Sequence, residues 1–198
     1  MKRNGDRKRD LVPTPSQTVG PYFQIGMSGS REISCIAGHG VRGERVKLVC
    51  AVFDRDGATV DDAMIEIWQA NSNGKYNHPA DNQPKSVDPA FLGFGRVATN
   101  CEGICVFATI KPGRVPGPGK SMQAPHLEVS VFGRGVLKRL ATRIYFAGDR
   151  ANDEDEVLAL VPKARRSTLM AQPIADEAGA WRFEVHIGGS QETVFCDV

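Results

Sequence analysis

Short apolar segments separated by glycine and proline turns are the feature that most constrains the fold of this chain. Across residues 44–54, every second side chain from Val46 to Val52 points to the same face. This alternation predicts a β-strand with at least one buried face. A turn signal at 54–57 and a second apolar segment at 64–69 follow. With 21 Gly and 12 Pro in the chain, we expect many turns and no long helix.

Further strands are predicted where β-branched and aromatic residues cluster between turns. They lie at 95–98, 104–110, 127–132, 142–146 and 181–187. Residues 157–166 have weak helical character, which Pro162 limits to a turn or two. Many short strands between turns predict an all-β protein, with a β-sandwich-like core, long loops and only short helical turns.

Two polar segments are predicted to be loops. Residues 71–89 are rich in Asn, Asp, Gly and Pro, which is too polar for a core and long for a connection. Long ordered loops in compact domains are often functional. Residues 111–119 contain three prolines, which remove backbone donors and exclude both a helix and a central strand.

Length and charge favour one domain at 14–198, preceded by a flexible basic tail at 1–13. The tail has no interleaved aromatic residues and no following apolar run, so we expect no nucleic-acid partner, no secretory signal and no membrane span. The five cysteines are odd in number and widely spaced. We expect reduced thiols that act as small core hydrophobes, and a cytoplasmic location.

The segment around His126 resembles half of a metal-binding strand. His126 and Glu128 are two residues apart, so they share one face of a predicted strand. Tyr76, in the turn-rich segment after Trp68, adds a phenol. These three side chains offer two anionic oxygens and one nitrogen, with one histidine too few for a two-histidine-one-carboxylate site. The structural alternative is a hydrogen-bonded His126–Glu128 pair and a packed Tyr76 ring.

The remaining histidines are weaker candidates for a functional site. His39 and His78 lie in polar segments where exposure is expected, and His186 lies in the last predicted strand with a structural or solvent-facing role. The chain has no Gly-x-Ser-x-Gly elbow and no phosphate-binding Gly-x-x-x-x-Gly-Lys loop.

Several motifs together resemble the intradiol ring-cleaving dioxygenases, and within them the α-type chains of the heteromeric members. The motifs are TPSQTVGPYF at 14–23, the segment 68–76, FLGFGR at 91–96, VFGRG at 131–135 and ETVF at 192–195. The resemblance extends over about 14–198, nearly the whole chain. It implies the same β-sandwich-like fold that the strand pattern predicts.

The resemblance also implies that two of the four iron ligands of the family are missing. In the family, ferric iron, Fe(3+), is held by two tyrosines and a His-x-His pair. Tyr76 and His126 match one member of each pair, but Val115 stands where the second phenol belongs and Glu128 where the second imidazole belongs. We therefore expect no catalytic residue and no metal in this chain, and Fe(3+) on a homologous β subunit in an obligate heteromer of higher order.

In such a heteromer, the resemblance implies that this chain lines the substrate pocket of the partner with Thr18, Gly20, Pro21, Tyr22 and Arg134. The expected reaction is intradiol cleavage of protocatechuate with O2 to 3-carboxy-cis,cis-muconate, and the chain alone is expected to be inactive. Arg134 is suited to an anionic carboxylate. Two alternatives stay open: a homomeric metalloprotein that uses Tyr76, His126 and Glu128, and a β-sandwich binding module without enzymatic activity.

Overall fold

Ten strands and a few short helices make up the computed structural model, which describes residues 13–197. The strands are β1 (Arg45–Phe53), β2 (Met64–Gln69), β3 (Phe94–Ala98), β4 (Ile104–Ile110), β5 (Val115–Pro116), β6 (Met122–Gln123), β7 (His126–Phe132), β8 (Leu140–Phe146), β9 (Met170–Pro173) and β10 (Ala180–His186). The helices are α1 (Gly20–Met27), α2 (Glu156–Ala159) and the 3₁₀ segments Gly29–Arg31, Arg150–Glu154 and Lys163–Leu169. The predicted basic tail at 1–13 lies outside the described residues, apart from Pro13.

The strands form two packed halves that β9 joins. One half has the order β3-β2-β7-β8 and is antiparallel throughout; the other has the order β10-β1-β4. β9 pairs in parallel with β8 and antiparallel with β10, while β1 and β10 are parallel. A separate two-stranded ribbon consists of β5 and β6. The all-β prediction is confirmed.

The core lies between the two halves and explains the alternation in the sequence. Leu48 and Val52 of β1 are fully buried and belong to one cluster with Ile67 of β2 and Leu127 of β7. Burying such a side chain stabilises the fold by roughly 1.5–3 kcal/mol relative to leaving it exposed. The two halves bury their facing apolar sides against each other, which is why the single-face pattern predicts a two-layer protein.

The prediction that the cysteines act as core residues holds for two of the five. Cys50 and Cys105 are buried and lie opposite each other across β1 and β4. Cys35, Cys101 and Cys196 are exposed, so the prediction is wrong for them. The physical reason is that all three lie in turns or at isolated bridges near the chain's surface rather than on the inward face of a strand.

A second, smaller core fixes the start of β7. The buried carboxylate of Asp155 accepts hydrogen bonds from the backbone N–H of Ala124 at 2.6 Å and of Leu158 at 2.8 Å. The second bond caps α2, which begins at the next residue. Asp155 thereby ties the segment that enters β7 to a distant helix, and this sets the position of His126.

The first helix was not foreseen in the sequence. α1 begins inside the 14–23 motif, with Pro21 in its first turn, where a proline costs no hydrogen bond. None of its residues is buried. The weak helical character at 157–166 corresponds to α2 and the 3₁₀ segment Lys163–Leu169 on either side of Pro162. Across residues 13–197, every helix is too short or too polar to span a bilayer.

Candidate functional site

A rigid loop after β2 holds the Tyr76 side chain in place. The side-chain oxygen of Asn71 accepts hydrogen bonds from the backbone N–H of Asn73 and of Lys75, both at 3.0 Å. The backbone N–H of Tyr76 donates to the carboxylate of Asp81 at 2.8 Å. Gly74 has φ +73°, and a Cβ there would collide with the carbonyl oxygen of Arg114. The loop therefore cannot shift Tyr76 without breaking several contacts.

The Tyr76 ring packs on Trp68 and keeps its proton. The two rings are nearly parallel, with centroids 6.2 Å apart and an interplanar angle of 6°. Burial raises the pKa of Tyr76 to about 12, and the negative charge of Glu128 adds to the increase. The phenol is therefore neutral at pH 7. The predicted packed ring is confirmed in its geometry.

β7 presents His126 and Glu128 on one face, as the spacing predicts. The Nδ1–H of His126 donates to the carbonyl oxygen of Ala124 at 2.7 Å, and its Nε2 lies 3.4 Å from the Glu128 carboxylate. That separation is a contact, too long for a strong hydrogen bond. The expected hydrogen bond between His126 and Glu128 is therefore not made: the buried Nε2 has no hydrogen-bond partner within residues 13–197, and Glu128 has a closer partner.

The closer partner is Arg143, which the sequence analysis did not single out. Arg143 lies opposite Glu128 in the register of β7 and β8. Its guanidinium is 2.6 Å from the Glu128 carboxylate and donates to the side-chain oxygen of Gln123 at 2.7 Å. A charged residue inside the apolar segment 140–146 was the available signal. It was missed because the register that joins positions 128 and 143 depends on how two strands pair.

The ion pair changes the acidity of Glu128. Burial by itself would raise the pKa of this carboxyl, but the contact with His126 and the positive charge of Arg143 outweigh burial, and the pKa lies below its ordinary value. Glu128 is therefore ionised at neutral pH, and its charge is balanced by the neighbouring guanidinium.

Tyr76 and Arg143 line a pocket of about 820 Å³. Trp68 and Tyr76 form an aromatic wall, the buried Val115 of β5 contributes a hydrocarbon surface, and Gln123 and Arg143 supply polar groups. The exposed His78, which was expected at the surface, also lines the pocket and contacts Trp68 edge-on at 6.1 Å. His186, in contrast, stacks on Phe53 with ring centroids 5.0 Å apart and does not line this pocket.

The donor set in this pocket does not fit ferric iron. A hard cation needs anionic oxygen and imidazole ligands with lone pairs available. Val115 has none, and the carboxylate of Glu128 is held by Arg143. A guanidinium already provides the positive charge. In the described part of the chain, no group of three or more His, Cys, Asp or Glu side chains is arranged to hold a metal ion.

A second cluster forms around Arg134, in the loop between β7 and β8. The Arg134 guanidinium lies 2.9 Å from the carboxylate of Asp62, yet 65% of its side chain is exposed. The hydroxyl of Thr18 accepts a hydrogen bond from the backbone N–H of Gly135 at 2.8 Å. Gly135 has φ +83°, which favours glycine in this turn. Thr18 and Arg134, both predicted as site residues, are therefore brought together.

α1 adds the remaining predicted residues to this second cluster. Gly20 and Pro21 begin the helix, and the Tyr22 side chain is 84% exposed. Phe23 packs on Phe132 at the end of β7, with ring centroids 5.2 Å apart. This contact attaches an otherwise exposed helix to the sheet next to the Arg134 loop.

The two clusters lie at opposite ends of β7. His126 and Glu128 are at its start, and Phe132 is its last residue. A strand rises about 3.3 Å per residue, so the seven residues span roughly 20 Å. The residues predicted for the metal and the residues predicted for the substrate therefore do not form one site within this chain.

Comparison with known proteins identifies the family of this chain. A family model described as "Dioxygenase" matches residues 19–187. The protocatechuate 3,4-dioxygenase alpha chain of Burkholderia cepacia is 41% identical, over 95% of this chain and 98% of the relative, and the beta chain from the same organism is 35% identical over 76% and 67%. The dioxygenase domain of a dioxygenase–carbohydrate-binding protein fusion from Streptomyces sp. SirexAA-E has a similar fold, with a TM-score of 0.62, 22% identity and coverage of 90% and 100%.

The fold and these matches show the class of protein: the chain belongs to the intradiol ring-cleaving dioxygenase family, whose members are iron-dependent. Within that family it is similar, over nearly its whole length, to alpha chains of protocatechuate 3,4-dioxygenase. The resemblance stated from the sequence motifs is confirmed.

Proposed function

We propose that this chain is the α-type subunit of a heteromeric protocatechuate 3,4-dioxygenase, and that it lines a substrate pocket whose iron the partner β-type chain holds. The proposal rests on one combined observation: the chain is similar to alpha chains over nearly its whole length, yet its donor set does not fit iron. When bound in the partner, iron would supply the oxidative opening of the ring with O2. The product would be 3-carboxy-cis,cis-muconate, in the catabolism of aromatic compounds.

The surface around α1 supports a partner at this end of the molecule. Tyr22 and Ile25 of α1 are mostly exposed, as is Leu137 in the same loop as Arg134. Clustered exposed apolar side chains commonly mark an interface. A chain that depends on such a contact pairs obligately, because its interface resembles a domain core cut in half.

The role of this chain in the reaction would be to bind and orient the substrate. Arg134 projects from a glycine-flanked turn, and Asp62 holds one edge of its guanidinium. The remaining donors are free to bind the ring carboxylate of protocatechuate, as guanidinium groups do well. Thr18 fixes the turn by its bond to Gly135, while Gly20, Pro21 and Tyr22 would form a wall beside the aromatic ring.

Steady-state kinetics of the co-expressed complex test this role. A charge-assisted hydrogen bond contributes about 1.5–3 kcal/mol, so Arg134→Ala should lower kcat/KM for protocatechuate by roughly tenfold to 150-fold. The same variant should scarcely change turnover of catechol, which lacks the carboxylate. Arg139→Ala, in the same exposed loop, is the matched control and should leave both values unchanged.

Two results would contradict the proposal. One is failure of the chain to form a stable complex with any homologous β-type chain that carries two tyrosines and a His-x-His pair. The other is an Arg134→Ala complex that loses protocatechuate and catechol turnover equally, because that would indicate a general structural effect.

The organisation and location of the chain belong to the same proposal. We propose a single domain at 14–198 and a cytoplasmic location. The domain is supported by the family match at 19–187. The location is supported by Cys50 and Cys105, which face each other across neighbouring strands as free thiols, as expected in a reducing compartment.

A further inference from the structure

We propose that the pocket formed by Trp68, Tyr76, Val115 and Arg143 is a metal-free binding site of this chain for uncharged, hydroxyl-bearing aromatic molecules. The site goes beyond the proposed function, because that function assigns this chain only a role in the partner's pocket. It is built from residues of this chain alone, and it does not depend on Arg134.

The size and shape of the pocket suit a small organic ligand. Its volume of about 820 Å³ falls in the range of roughly 300–1,000 Å³ that is typical of small-molecule sites. The parallel rings of Trp68 and Tyr76 present a flat surface on which a planar ring can stack. Val115, whose side chain is buried in β5, adds an apolar surface next to this wall.

The pocket also has polar groups that are free to bind a ligand. The Tyr76 hydroxyl makes no hydrogen bond with any residue in 13–197, although its backbone N–H is bound to Asp81. A phenol O–H can either donate or accept a hydrogen bond. Gln83 also lines the pocket: its NH2 group is bound to Gly74 and Asp81, but its side-chain oxygen accepts no hydrogen bond within residues 13–197. A hydroxyl group on the ligand would complete the hydrogen bonding of Tyr76.

The charges of the pocket exclude an acid as the preferred ligand. The one guanidinium, that of Arg143, is already paired with Glu128 at 2.6 Å and bound to Gln123 at 2.7 Å. The carboxylate of Asp81 accepts from the backbone of Tyr76 and from Gln83. A ligand carboxylate would lose its hydration and would meet no unpaired guanidinium or ammonium group among the described residues that line the pocket. A neutral phenol has no such cost.

The positions of the two tryptophans permit a test that reads this site directly. Trp68 lies in the pocket wall, whereas Trp181 packs against Phe146 with ring centroids 5.0 Å apart and does not line the pocket. In the co-expressed complex labelled with 5-fluorotryptophan, the ¹⁹F signal of Trp68 reports the pocket and that of Trp181 is an internal control. Trp68→Phe and Trp181→Phe variants assign the two signals.

The probes are 4-methylphenol and 4-methylbenzoate, which differ only in the polar group. We expect 4-methylphenol to shift the Trp68 signal in a saturable manner and to leave the Trp181 signal in place. 4-Methylbenzoate should bind at least about tenfold more weakly, because its carboxylate is desolvated without a partner. Tyr76→Phe keeps the ring and loses one hydrogen bond, so it should weaken 4-methylphenol binding by roughly threefold to tenfold.

A variant that fills the pocket tests whether the ligand binds at this position. Ala80 lines the pocket and is exposed, so Ala80→Trp should block the pocket and abolish the response of Trp68 without disturbing the core. Leu160→Trp, at an exposed position elsewhere, should leave the response unchanged. The inference is overturned if Trp68 does not respond to 4-methylphenol, if the response survives Ala80→Trp, or if 4-methylbenzoate binds as tightly as 4-methylphenol.

Discussion

The Glu128–Arg143 ion pair gives the account a quantitative prediction, because it occupies the region where the family places a metal. Removing one partner of a fully buried pair costs about 3–5 kcal/mol, whereas exposed pairs are worth about 0.2–1 kcal/mol. Arg143 is 18% exposed and Glu128 is 38% exposed, so solvent screens the pair in part. We expect Glu128→Ala to destabilise the protein by about 2 kcal/mol.

Thermal unfolding of the co-expressed complex, at fixed concentration and scan rate, measures this effect. For a chain of this length, each kcal/mol shifts Tm by roughly 2–4 °C, so Glu128→Ala should lower Tm by roughly 4–8 °C. In a double-mutant cycle with Arg143→Ala, the double variant should be no less stable than Glu128→Ala alone, because no unpaired guanidinium remains. The coupling energy should be about 1–2 kcal/mol.

The matched control is Glu184→Ala, which removes a carboxylate 2.9 Å from Arg182 on the exposed side of β10. A surface pair of this kind should change stability by no more than about 0.5 kcal/mol. If Glu128→Ala has no larger effect than this control, or if the effects of Glu128→Ala and Arg143→Ala simply add, the ion pair does not stabilise the fold.

Two further predictions concern Glu128 and the loop that holds Tyr76. The pKa of Glu128 is lower in the folded protein, so its contribution to stability is present above the unfolded pKa of about 4.3 and is lost as the pH falls through the lower folded pKa. Glu128→Gln should therefore remove this part of the pH dependence of the unfolding free energy. An unchanged pH dependence would show that other carboxyl groups cause it. Gly74→Ala should destabilise the protein by about 3 kcal/mol or more, because φ is +73° and the added Cβ meets backbone. Gly119→Ala, with φ +63° and open space around it, should cost only about 1 kcal/mol, and equal costs would mean that the loop yields to the clash.

Much of the fold follows from patterns that are local in the sequence. The apolar segments at 64–69 and 104–110 correspond to β2 and β4 residue for residue. β1 and β10 differ from the expected strands by about one residue at their ends. Alternating burial is a property of each strand by itself, so it is visible before the partner strand is known.

The short strands and the first helix are harder to predict from the sequence. β5, β6 and β9 have two to four residues each and exist only because distant segments pair with them. β9 in particular joins the two halves of the structure through contacts with β8 and β10. α1 has no buried face, so its residues show no helical periodicity.

The candidate site, like the fold, is predictable from the sequence only in part. Spacing alone predicts that His126 and Glu128 share a face, and motif resemblance identifies the missing phenol at Val115. The charge balance of the pocket depends on Arg143, whose distance from Glu128 is set by strand register. Without that register, Glu128 looks like an available metal ligand, whereas in the structure it is the anion of an ion pair.

Iron analysis of the co-expressed complex decides whether the guanidinium of Arg143, rather than a metal ion, balances the charge of Glu128 in this chain. We predict one iron atom for each pair of α-type and β-type chains, with Glu128→Ala and Tyr76→Phe leaving that ratio unchanged. Two iron atoms per pair, falling to one when Tyr76 or His126 is replaced, would contradict the account.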